Sequence, residues 1–166
     1  MPLRHRILSN PETVQDLELA VDDKYWEGIQ LLVAGRRGAG VYLLGYAVEM
    51  ILKNACFLAD GARPADLVGP RLAPIRSSAR RALPGIPHES YHSLWFWLHV
   101  LRTKRASLGR PLPGDVDARL VQRVRRIYGI WIVDMRYKPD QALPREAESV
   151  YDDVTWIRDR RAQLVV

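Results

Sequence analysis

The densest cluster of reactive side chains in this sequence is His88-Glu89-Ser90-Tyr91-His92. Read literally it is H-E-x-x-H, which on a helix sets two imidazoles one turn apart to hold Zn²⁺, with the intervening Glu as general base. Three features oppose that reading. Zinc hydrolases carry the motif inside an established helix under a sheet, whereas no segment here alternates with the period of two that marks a strand. Pro87 places the motif at a helix start, where a single turn frays. A third ligand is also lacking. The related pattern that continues with Gly and His meets Trp95 and Leu98 instead, and no Glu follows until Glu146. The plainer expectation is a capping turn whose imidazoles are partly exposed, or a His92 that faces a cleft. No metal and no other cofactor is expected.

Other residues could also do chemistry. Glu49 and Lys53 are spaced i,i+4 in the favourable order, yet they interrupt an otherwise apolar run, where a charged pair costs desolvation unless partnered. Arg136-Tyr137 closes a helical pattern; there the cation either complements the helix dipole or holds a phosphate. Arg119, Arg123 and Arg126 line one face of the same pattern, which reads as a solvated face or as contacts to a phosphate backbone. Gly35, Gly38, Gly40 and Gly45 follow no strand and fit no phosphate-loop register, so tight turning and close helix packing explain them better.

The elements that must position these groups are helices. Residues 11–34 repeat apolar positions at three- and four-residue steps after Asn10-Pro11-Glu12, a capping start. Residues 39–59 are apolar nearly all round, the mark of a central buried helix. Residues 61–88 carry five prolines, which argues against a long helix and for a basic connection containing Arg71, Arg76, Arg80 and Arg81. Further helices are predicted over 90–107, 115–137 and 146–164. Trp95 and Trp97 cannot share one face, so one of them is expected at a subunit interface. The class is all-α, an up-and-down bundle of about five helices in a single domain over 1–166, with its core over 11–164.

Composition sets outer bounds. The chain has 166 residues, 48% hydrophobic and 27% charged, an ordinary globular balance. Its net charge of +6 favours polyanionic partners, although Arg-rich composition has other origins. The single cysteine, Cys56, excludes an intramolecular disulfide. The start lacks a signal peptide, and Glu49 and Lys53 cut the longest apolar run, so no membrane association is expected and a cytoplasmic location is.

The stretch from Leu31 to Lys53 carries Gly35-Arg36-Arg37-Gly38 and then Gly45-Tyr46-x-x-Glu49-x-x-x-Lys53. It resembles the HEPN (higher eukaryotes and prokaryotes nucleotide-binding) family. His92-Ser93-Leu94 is similar to the His-x-Leu opening of that family's third helix. Trp131 to Tyr137 is similar to its Arg-containing later helix. The resemblance spans roughly residues 13–160. It implies a helical bundle, commonly a homodimer, that binds RNA or a nucleotide. Many members cut RNA without metal in toxin–antitoxin or phage-defence systems. Others bind only, or support a partner protein such as an antitoxin, a nucleotidyltransferase or a defence ATPase. The nuclease members carry Arg-x(4–6)-His near the last core helix, and here no His follows Arg136. The one literal match, Arg81 to His88, lies in the proline-rich connection at the wrong position. The resemblance therefore points to Arg136, His92 and Glu49 as the catalytic candidates. Tyr137, Lys53, Arg36, Arg37, His88 and Arg81 are the binding candidates.

Overall fold

The computed structural model describes residues 12–86 and 92–165. Helix α1 (Val14–Val33) begins at Thr13, whose hydroxyl accepts the Asp16 N–H while the Asp16 carboxylate accepts the Thr13 N–H, a reciprocal capping box. The predicted cap at Asn10-Pro11 lies outside the described residues. The chain reverses at Gly35, whose φ of 75° suits a residue without a Cβ, and enters α2 (Arg37–Ala59). The two helices cross with backbones almost touching. A Cβ on Gly40 would lie 2.9 Å from the Gly28 carbonyl oxygen, and one on Gly28 would lie 3.2 Å from that of Gly40.

Helix α2 is the axis of the molecule, packed by α1 and by the later helices α4 (Leu94–Ser107) and α6 (Pro144–Asp159). Val41, Leu44, Val48, Leu52 and Phe57 are completely enclosed, as the apolar pattern predicts. By length and composition this helix could cross a membrane, but 67% of its most apolar window is buried inside the bundle. Among the described residues there are seven α-helices and no strand, only an isolated bridge between Thr13 and Leu67. The fold is an all-α bundle.

Two predicted elements differ. The proline-rich connection contains a 15-residue helix, α3 (Val68–Ala82). Pro70 falls in its first turn, where N–H groups have no intrahelical acceptor, so only Pro74 removes a bond. Burial of Val68, Ile75 and Ala79 against the core offsets that loss. The helix predicted over 115–137 instead stops early, as α5 (Gly114–Tyr128). The chain then turns so that Trp131 drops into the core, its indole N–H donating to the Tyr42 carbonyl at 2.9 Å. A 3₁₀ turn (Val133–Tyr137) follows, so Arg136 and Tyr137 sit on this turn and not at the end of a long helix. The last predicted helix is divided at Arg160 into α6 and the short α7 (Arg161–Leu164). Trp97 is the buried member of the tryptophan pair, and Trp95 packs at the core's edge.

Candidate functional site

Tyr42, Tyr46, Glu49 and Lys53 follow one another on α2 at steps of four, three and four, which puts them on one face. Glu49 is only 3% exposed, so its carboxylate must be compensated from within the protein. One partner is on its own helix, where the Lys53 ammonium sits 2.5 Å from Oε1. That ammonium also lies 5.5 Å from the Trp97 ring centre. The second partner comes from across the bundle. His92 precedes α4, whose start is fixed by the Ser93 hydroxyl accepting the Phe96 N–H. Its Nδ1 lies 3.0 and 2.9 Å from the two carboxylate oxygens of Glu49. Glu49 therefore clamps the imidazole and assigns the Nδ1 position as donor.

Tyr46 joins this clamp to Tyr42 and Trp131. Its ring meets His92 edge-on at 5.8 Å, Trp131 at 5.5 Å and Tyr42 at 4.9 Å. Burial drives the Tyr46 phenol pKa upward, the hydrogen bond to Tyr42 and the charge on Glu49 add to this, and the Arg136 charge partly opposes it. Tyr46 is therefore a neutral hydroxyl at any physiological pH. The Tyr42 hydroxyl donates to Tyr46 at 3.4 Å, and Tyr42 lines the same cleft as Arg136. The Arg136 guanidinium lies over the Tyr137 ring at 4.5 Å, and Tyr137 itself is 71% exposed.

This cleft of about 570 Å³ lies between the start of α2 and the chain after α5. Arg36 and Lys138 add cations to its wall, Ile130, Ile132 and Met135 add apolar surface, and Glu146 adds an acid. The Asp140 carboxylate accepts the Gly38 N–H at 2.7 Å and so occupies the positive end of α2.

The predicted residues thus divide. Glu49, Lys53 and His92 form one connected line with Tyr46 and Tyr42, while Arg136, stacked on Tyr137, and Arg36 face the adjoining cleft that Tyr42 also lines. Arg37 is an exposed first residue of α2, and Arg81 is exposed in the last turn of α3. His88 and Glu89, half of the zinc reading, lie outside the described residues. The arginine stripe on α5 is largely committed, since Arg123 and Arg126 both bind the buried Asp153 of α6, at 2.7 and 2.8 Å. The glycines serve packing: a Cβ on Gly45 would lie 2.1 Å from Trp131 Cδ1. Tyr42, Tyr46 and Asp140 were missed. The first two share the helical spacing of Glu49 and Lys53, a readable signal, but Asp140 is 102 residues from its partner and carries none. Compared with known proteins, the chain matches no family model, no curated protein and no solved structure.

Proposed function

We propose that this chain is a HEPN-like bundle that binds RNA or nucleotide phosphate along α2 and cleaves RNA without a metal. The observation that carries the reading is the Glu49–His92 clamp, joined through Tyr46 to Tyr42, which lines the same cleft as the exposed Arg136. With Glu49 on Nδ1, the proton-accepting position of His92 is Nε2, which takes the proton of a ribose 2′-hydroxyl. Arg136 stabilises the charge that builds on the phosphorus oxygens as that hydroxyl attacks and the P–O5′ bond breaks. The products are a 2′,3′-cyclic phosphate and a 5′-oxygen that takes its proton from water or the protonated His92. Tyr137 offers a base an aromatic face, and Arg36 and Lys138 hold flanking phosphates in the cleft. The chain works in this reading as a homodimer or beside a partner protein.

One observation favours a second reading, a nucleotide-binding subunit that does not cut. Glu49 is already paired with Lys53 at 2.5 Å, so its carboxylate is divided between an ammonium and the imidazole it would orient.

Labelled single-stranded RNA incubated with the purified protein, with and without EDTA, tests both. Cleavage that resists EDTA and falls about 10²–10⁴-fold in His92→Ala and in Arg136→Ala, the latter with unchanged melting, is the expected result. Intact RNA with nucleotide binding that Arg136→Ala weakens favours the binding subunit. Cleavage abolished by EDTA, together with stoichiometric zinc, overturns both.

A further inference from the structure

The polyanion reading leaves one side of the molecule unexplained. Helix α1 carries five carboxylates against one lysine in a chain whose net charge is +6, so this helix is the acidic face of a basic protein. Along it run three large apolar side chains that the bundle does not cover: Leu19 is 61% exposed, Trp26 54% and Val33 84%. They are spaced seven apart, which sets them in one stripe about 10 Å from one another along the axis. Trp26 packs edge-on against Tyr25 at 5.2 Å and beneath the Arg158 guanidinium at 5.6 Å, so its ring is oriented while its outer face remains in water. Asp16, Asp23 and Glu27 run down one flank of the stripe, where Lys24 pairs with Glu27. Glu18 and Asp22 lie on the other, where Arg158 and Arg161 engage Asp22. Besides the capping Asp16, Glu18 and Asp23 are thus the flanking carboxylates with no ion pair among the described residues.

We infer that this stripe is the docking surface for a basic amphipathic helix of a partner protein. The seven-residue spacing matches an apolar seam of heptad period, and the acidic flanks match Lys or Arg at the positions bordering that seam. The same charges disfavour the other occupants. A second copy of α1 would set carboxylate against carboxylate, and RNA or an anionic membrane would be repelled. The surface is distinct from the Arg136 cleft, and its occupant does not depend on what that cleft does.

Calorimetric titration of the intact protein with two synthetic helical peptides tests the assignment. Both carry Leu in heptad register; one has Lys and Arg on the flanking positions and the other Glu. The basic peptide binds at one equivalent, the acidic peptide does not, and affinity weakens as salt is raised. Trp26→Ala and Asp23→Lys each lower the affinity at least tenfold with unchanged circular dichroism, while Asp115→Lys, on another helix, leaves it as it was. Absence of basic-peptide binding, or binding that ignores Trp26→Ala and Asp23→Lys, overturns the inference. So does a concentration-dependent dimer in sedimentation that Trp26→Ala dissociates, because the stripe would then belong to a second copy.

Discussion

Glu49 is the residue on which most of the interior's polar chemistry converges, because a carboxylate 3% exposed must find its compensation inside the protein. Lys53 and His92 supply it from different elements. Glu49→Gln keeps the shape but strands the Lys53 ammonium, and it should cost about 3 kcal/mol in urea unfolding. The paired replacement Glu49→Leu with Lys53→Met removes both charges and should recover most of that loss, which separates the cost of a stranded charge from the worth of the pair. The i,i+4 spacing of Glu49 and Lys53 is readable from the sequence alone. The clamp of Glu49 on His92 is not, because residue 92 is 43 positions away and only the packing of α4 against α2 brings it there.

At the scale of elements, Gly45 governs where Arg136 stands. The indole of Trp131 lies where a Cβ on Gly45 would project, and its N–H is bonded to the Tyr42 carbonyl one turn earlier on α2. This contact ends α5's helical course and starts the 3₁₀ turn that carries Arg136 and Tyr137. Gly45→Ala should therefore displace Trp131, lower stability by about 1–3 kcal/mol, and alter the near-ultraviolet circular dichroism. On the proposed reading it should also weaken nucleotide binding, although Gly45 lies under Trp131 and not in the cleft. Periodicity extended α5 to residue 137 because Trp131 and Met135 continue its apolar spacing. A spacing that fits a helix also fits a chain leaving that helix to bury the same side chains elsewhere. Helix α3 shows the reverse error, since proline is costly only where it removes a bond that would otherwise form.

Across the whole molecule, stability should fall on acidification in two stages. The His99 pKa is lowered, first by burial and then by Arg102, with Asp117 opposing, and its Nε2 is buried without a hydrogen-bond partner. The folded state thus holds His99 neutral while the unfolded chain binds a proton below about pH 6.5, so its contribution is complete above that pH and is lost as pH falls. Asp22 follows in stronger acid. Its pKa is lowered by the Arg161 hydrogen bond first, against a desolvation penalty, and by Arg158. Its contribution is present above about pH 3.9 and disappears below it as the carboxylate protonates. Melting temperatures from pH 8 to 3 should therefore decline from about pH 6.5 downward. His99→Phe should flatten the decline between pH 7 and 5 and leave the acid limb in place.

The sequence by itself determined the class of this protein and its axis. A run apolar on every side can only be a central helix, and amphipathic runs without strand alternation can only be satisfied by packing around it. Those are local consequences of period and burial, and they survive in the structure. It also named Glu49 and Lys53, because a charged pair inside an apolar run carries its own signal, while His92, Arg136 and Tyr137 were named through the resemblance to the HEPN family. Only the tertiary structure decided that Glu49 and Lys53 meet His92 in one connected line beside the cleft of Arg136, that Arg123 and Arg126 are committed to Asp153, and that α1 leaves Leu19, Trp26 and Val33 uncovered. Which cation finds which carboxylate, and which apolar stripe finds no neighbour, depend on how helices distant in sequence cross. Spacing along a single helix holds no information about that.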